Sequence, residues 1–316
     1  MPPQVLVVCK RDRELVSLDP ASLVVRWRSG LSDIGHEVVP SEDGERAYVP
    51  LYGTGGVSRP GRSGNGIDVV DLEHGVRVDL VPLPRGSRPH FAAWGCDGRL
   101  FVTAEGIRSV LSVDVAAWER TPGDLRHVSV PPHQVLRTAH PQSHMLAVAP
   151  DGRHVYTADV HPGTVTELEV TSGTRRSLYL AERINRISLS ADGRTAYVAD
   201  QDEPRLAVVD VLSLSLDRWI TLPGIAFGTA ASGAGRLIVA MRQAGQLAIL
   251  DTEAGRVLRS VGVPDGPQRV VMSGEGRTVY TTCSPADLVV AVDIDRMQVV
   301  AEGEPGGDPD GLAVVG

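Results

Sequence analysis

One short pattern returns along this whole chain and excludes most folds: an apolar run, an Asp-Gly type turn, a second apolar run and a third run ending near Asp. HMLAVAPDGRHVYTADVHPGTVTELEVTSG from His144 recurs as NRISLSADGRTAYVADQDEPRLAVVDVLSL from Asn185 and as QRVVMSGEGRTVYTTCSPADLVVAVDIDRM from Gln268. Weaker copies begin at His36, His90 and Phe227. The turn glycines are Gly44, Gly98, Gly152, Gly193, Gly235 and Gly276, spaced 41 to 54 residues apart. Runs of this length separated by tight turns are strands rather than helices, and four strands per period make a propeller blade.

Six copies are complete, and a seventh is divided between the termini. DPDGLAVVG at the end supplies a first strand, while QVLVVCK, ELVSLD and LVVRWRS near the start supply the second, third and fourth. Pairing the ends removes the open sheet edges that a linear array would keep. The expected fold is therefore all-β: a seven-bladed β-propeller of four-stranded antiparallel blades, the last closed by the N- and C-terminal strands. Residues 1–316 are expected to form a single domain, since blades account for the whole sequence.

The repeats resemble those of the YVTN family of seven-bladed propellers, in which an apolar strand leads to s-p-D-G, then Y-V-T-N, then t-v-s-v-I-D. The matching stretches are APDG with VYTAD, SADG with AYVAD, and IDVVD, LAVVD and LAILD. The resemblance covers essentially the entire chain and implies the fold. Its implication for function is broad, because relatives of this architecture include lactonases, lyases, electron-transfer proteins and binding platforms.

Composition removes several partners. Net charge is −8 with acids and bases interspersed, so no basic footprint for nucleic acid exists. No stretch approaches the 18 apolar residues of a membrane span, and the N-terminus lacks a basic region leading into an apolar one. A cytoplasmic protein without membrane contact is expected, monomeric or weakly homo-oligomeric. Cys9, Cys96 and Cys283 are odd in number and far apart, which argues against a disulfide framework or a thiolate zinc site.

Aligning the copies on their turn glycines places one residue per blade at the channel end of the first strand: His36, His90, His144, Asn185, Phe227, Gln268 and Asp310. Composition alone would put about 0.2 histidines in such a ring, and three consecutive blades carry one. Three neutral imidazoles from adjacent strands suit a divalent transition metal, zinc above others, with an open position for water or substrate. The alternative is that each histidine bonds a neighbouring carbonyl and fills the rim. No organic cofactor is expected, for no phosphate-cradling or nucleophile-elbow motif occurs.

Second-strand ends form the next shell. Counting outward from the Asp151-Gly152 turn sets His144 opposite Asp159, Asn185 falls opposite Asp200, and Glu105 lies near His90. Asp159 and Glu105 are candidates to orient an imidazole or move a proton. Glu37 ranks below them, because strand alternation turns it away from His36. Lys10, the only lysine, ends a second strand and is a candidate anion ligand or Schiff-base amine. Arg242, Tyr52, Asn185, Asp200, Phe227 and Gln268 are expected to line a substrate site. Arg88, Arg137 and Arg186 lie in loops feeding the same face, with His140 and His161 as reserve ligands. The Gly-, Ser- and Arg-rich stretch 51–66 reads as a flap over the mouth.

These residues suggest lyase, hydrolase or isomerase chemistry on a small polar or anionic metabolite, with secondary metabolism the expected setting and His36, His90 and His144 on the metal. Peptidyl-hydroxyglycine lyases look similar in holding zinc with three histidines, and streptogramin lyases in pairing histidine with a carboxylate. The competing expectation is a non-catalytic ligand- or protein-binding propeller, which requires an apolar patch on one face.

Overall fold

The computed structural model describes residues 2–57, 59–120, 133–140, 142–232 and 235–316, with only the backbone at 133. Within these, seven antiparallel sheets of four strands each form a ring, a seven-bladed β-propeller. Blade 3 shows the plan: Ser143–Val148, His154–Asp159, Gly163–Glu169 and Arg175–Ala181, paired in chain order. Blade 7 is the divided one. Pro309–Val315 pairs with Gln4–Cys9, followed by Glu14–Leu18 and Val25–Gly30, so Gln4 stands across from Val315.

Local sequence sets each blade. The six turn glycines all hold φ between 64° and 74°, a left-handed conformation that costs glycine nothing and allows the tight first-to-second-strand turn. Middle strands are apolar on both faces because each blade is sandwiched between two others. Leu206 through Val209 are buried, whereas Ser215, Leu216, Asp217 and Arg218 on the outer strand are exposed. The core therefore lies between blades: Val5, Val7 and Leu312 of blade 7 pack with Tyr280, Val289 and Ala291 of blade 6. Each such buried Val or Leu contributes roughly 1.5–3 kcal/mol. A short helix that the repeat did not announce, Val115–Arg120, drives Trp118 into the layer holding Tyr48, Ile67 and Leu100.

One irregularity recurs where the first strand reaches the mouth. Blade 3 pairs Ala147 with Tyr156 and Met145 with Ala158, but then Ser143 with Asp159, so His144 is the extra residue of a β-bulge. Register slips likewise between Pro89 and Ala92, between Ile184 and Ile187, between Pro267 and Val270, and opposite Val7 and Cys9. Turn counting fails at these slips, which corrects two expectations. Asp159 faces Ser143 rather than His144, and Asp200 faces Ile184 rather than Asn185.

Both carboxylates are sealed within their blades. Asp200 accepts from the Asp202 and Glu203 amides and pairs with Arg205 at 2.8 Å. Asp159 accepts hydroxyls of Ser143 at 2.6 Å, Thr157 at 2.9 Å and Thr166 at 2.6 Å. Burial nevertheless outweighs the hydroxyls and pushes its pKa up to about 6. The unfolded carboxyl titrates near 3.8, so between these values only the folded chain holds the proton. The resulting stabilisation is complete below about pH 4 and is lost as pH rises through about 6, on the order of 3 kcal/mol. Urea unfolding at about pH 4 and pH 7 should show the wild type losing that much relative to Asp159→Asn. Equal pH dependence in both chains contradicts the assignment.

Candidate active site at the channel mouth

His36, His90, His144, Asn185, Phe227, Gln268 and Asp310 all line one cavity of about 680 Å³. Gly55, Gly56, Val57, Arg59 and Pro60 cover one side of it. The stretch 51–66 is thus a structured hairpin extension, apart from Ser58, which lies outside the described residues. Gly53 adopts φ 88° where the hairpin leaves its strand, and Arg88 ties the tip by donating to the carbonyls of Thr54, Gly56 and Arg59. Arg62 clamps its base through Asp33, at 2.6 and 2.7 Å.

Three imidazoles gather at the centre. The ring centroids of His90 and His144 lie 3.7 Å apart with the planes tilted by 36°, and that of His36 lies 5.0 Å from His90. His144 Nδ1 is 2.5 Å from Glu105 Oε1, and the Tyr52 hydroxyl donates to Glu105 Oε2 at 2.8 Å. Glu105 stands where blade 2's second strand, Leu100–Ala104, breaks into a single 3-10 turn, Glu105–Ile107. It therefore reaches across to the histidine of blade 3. Burial, with His144 and His36 alongside, holds the His90 pKa well below 6.5, so this ring is neutral at physiological pH.

Ligand atoms of His90, Glu105 and His144 lie within 4.8 Å of one another, and all three residues are buried. His90 Nδ1 has no hydrogen-bond partner among the described residues. A neutral imidazole, a second imidazole and a carboxylate match the ligand chemistry of zinc and similar ions. Of the expected set His36, His90 and His144, His36 Nδ1 pairs with Asp310 at 3.2 Å, and the group whose ligand atoms converge is His90, Glu105 and His144.

Lys10 does not present a free amine. Its Nζ lies 3.1 Å from Asp310 and 3.4 Å from Asp308. Burial alone would lower its pKa, but the two aspartates prevail and raise it, so the Schiff-base role, which needs a neutral amine, is not supported. Asp310 is held well below the usual carboxylate range despite burial, by Lys10 and by the hydrogen bond with His36. Tyr52 is likewise corrected from substrate ligand to buttress, being fully buried behind Glu105.

Of the arginines, Arg59 and Arg242 line the cavity without an ion pair among the described residues, and Arg242 lies 5.3 Å from the Phe227 ring. Arg183 is paired with Asp202, and Arg137 caps the carbonyl of Ile107. His140 and His161 are not among the cavity's lining residues. Cys9 and Cys283 are unpaired and buried, with thiols pushed up to about 12 by burial, which makes them poor nucleophiles.

Beneath the ring lies a layer that sequence reasoning largely missed. Glu37 accepts from Arg186 at 2.9 Å and faces Arg269 at 3.4 Å, uniting blades 1, 4 and 6 across the channel. Each follows a ring residue directly, and the bulges let two successive side chains face inward where a regular strand would alternate. Gly311 completes the layer, for a Cβ there would lie 2.5 Å from the Glu37 Cα.

The fold and this mouth define a seven-bladed propeller with a histidine-carboxylate cluster at its channel entrance. No family model matches the chain, and no curated protein matches it in sequence. Among solved structures it is similar to the periplasmic gluconolactonase of Pseudomonas aeruginosa, with 17% identity over 99% of both chains and TM-score 0.76. Hydrazine synthase of Kuenenia stuttgartiensis has 14% identity over 90% of each chain and TM-score 0.72. Virginiamycin B lyase of Staphylococcus aureus has 12% identity, with 84% of this chain and 82% of that one covered, and TM-score 0.65. At these identities the likeness is one of fold. Among the described residues no helix is long and apolar enough to cross a membrane.

Proposed function

We propose that this protein is an enzyme of hydrolase or lyase type that acts on a small anionic molecule in the mouth, with His144 transferring the proton. The observation that carries this reading is the chain Tyr52–Glu105–His144 ending in the cavity. With Nδ1 donating to Glu105, the other ring nitrogen of His144 is the free base. Tyr52 fixes the second Glu105 oxygen, so the carboxylate cannot swing away. His90, neutral and packed against His144, adds no competing positive charge. Arg59 and Arg242 draw in an anionic group, and the hairpin 51–66 limits water.

His90, Glu105 and His144 also offer the donors for one divalent ion, zinc favoured, which when bound would polarise a carbonyl or acidify a water. Elemental analysis of protein purified without metal-affinity steps is expected to find about one equivalent, absent from His90→Ala. Equal metal in both chains, or none in either after soaking with candidate ions, removes the metal and leaves acid-base catalysis by His144 and Glu105.

The gluconolactonase and lyase named among the structural neighbours support hydrolase or lyase chemistry as the class to assay first. Turnover of small carboxylated lactones by the intact chain, and its loss in His144→Ala, is the direct test. Exposed apolar side chains such as Val76, Tyr179, Leu216, Leu258 and Val300 are spread over outer strands of different blades, which gives a protein-binding platform no single patch among the described residues. Unpaired Cys9, Cys96 and Cys283 favour a cytoplasmic setting, although the gluconolactonase neighbour is periplasmic.

A further inference from the structure

The Glu37 layer holds more hydrogen-bond donors than acceptors. Arg186 exposes 4% of its side chain and Glu37 only 2%, yet Arg186 Nε and Nη1 have no hydrogen-bond partner among the described residues, and Arg269 Nε meets Glu37 Oε2 at 3.4 Å as an ion pair without a hydrogen bond to either atom. Buried guanidinium donors are rarely left in this state, and two cations facing one carboxylate leave a positive charge over. Asp310 acts on both arginines through its charge, but its contacts are with Lys10 and His36. Phe91 and Phe227 flank the guanidiniums at 5.2 Å from Arg269 and 5.9 Å from Arg186, which keeps the place apolar apart from these groups. Burial, with Arg186 alongside, lowers the Arg269 pKa against the pull of Glu37 and Asp310. Arg186 also lines the mouth cavity, beside Asn185, whose buried amide oxygen is without a partner and whose amide can turn its NH2 inward.

We infer that Arg186 and Arg269 form a binding site for one monoanion in the floor of the mouth, and that the substrate is anchored there by a carboxylate. The second half rests on the catalytic reading of the same mouth; the first does not. Unpaired N–H donors on a cation select a compact oxygen or halide anion, and the residual charge of the three side chains admits one negative charge.

Titration calorimetry of the full chain in halide-free buffer, with sodium formate and sodium bromide as probes, tests both halves. Each ion is expected to bind once per chain and to compete with the other. Arg186→Met should weaken binding about 10- to 100-fold, the loss of one charge-assisted hydrogen bond. Glu37→Gln should tighten it, because the competing acceptor loses its charge, and a purely structural role for the layer predicts no such gain. If Arg186→Met fails to fold, Arg269→Met and Glu37→Gln decide the matter.

No saturable binding of either ion by the wild type, or affinity unchanged in these variants, overturns the site. Bromide bound without formate overturns the carboxylate anchor and assigns the place to an inorganic ion. Turnover of a lactone that persists without anion binding leaves the enzyme standing and removes this inference. Anion binding without turnover keeps the anion site and removes the substrate anchor together with the enzyme.

Discussion

Replacing His144 by alanine is expected to lower kcat/KM by about 10²- to 10⁴-fold, the span that one positioned proton-transfer group supplies. Glu105→Gln should follow with a smaller loss, since an amide can still contact Nδ1 at the 2.5 Å contact but no longer favours the imidazolium. Tyr52→Phe should cost least, as it frees one Glu105 oxygen and touches no substrate. That order, measured on one substrate over a pH range, separates catalysis from folding. A structural role for His144 would instead reduce thermal stability and leave the rate per folded molecule unchanged. Turnover equal to wild type in His144→Ala overturns the proposed enzyme, with or without a metal.

Removing residues 307–316 is expected to abolish cooperative folding. The lost strand, Pro309–Val315, pairs with Gln4–Cys9 and closes the ring, and Leu312 within it is completely buried. Leu312→Ala alone should cost about 2–5 kcal/mol. Loss of the whole strand strips one face from the packing of blades 6 and 7 and leaves the inner edge of Gln4–Cys9 unpaired, which exceeds the usual net stability of about 5–15 kcal/mol. Circular dichroism with a urea titration reads the result. A truncated chain that melts near the wild type would show that closure contributes little.

The architecture was legible because its signals are local and repeated. Six blades carry a turn glycine and apolar runs at a recurring spacing, so the weak signals reinforce one another and even the divided blade can be placed from its strands. The mouth residues were legible for the same reason, being fixed by distance from those glycines. What could not be read depends on relations between blades or on departures from regular pairing. Asp159 was set opposite His144 by counting from a turn, and the bulge at His144 defeats the count. The carboxylate that meets His144 comes instead from Glu105 of the preceding blade, a contact set by how the blades rotate about the axis. Strand alternation turns Glu37 away from His36, but pairing slips by one residue between Gly35, opposite Leu51, and Val39, opposite Tyr48, and Arg269 carries no signal except its place after Gln268. Lys10 was correctly placed at the mouth, but its neutralisation required knowing that Asp308 and Asp310 return from the far end of the chain.

The recurrent slip in the first strands has a consequence for how such a mouth can change. A residue in a bulge is released from the strict in-or-out assignment of its strand, so its replacement alters the channel without shifting the apolar residues that join blade to blade. Chemistry and architecture are thereby written in separate positions of the same strand. The mouth behaves as a set of sockets on a rigid frame, each exchangeable on its own, and a ring of histidine, asparagine, phenylalanine, glutamine and aspartate is one setting among many that this frame can carry.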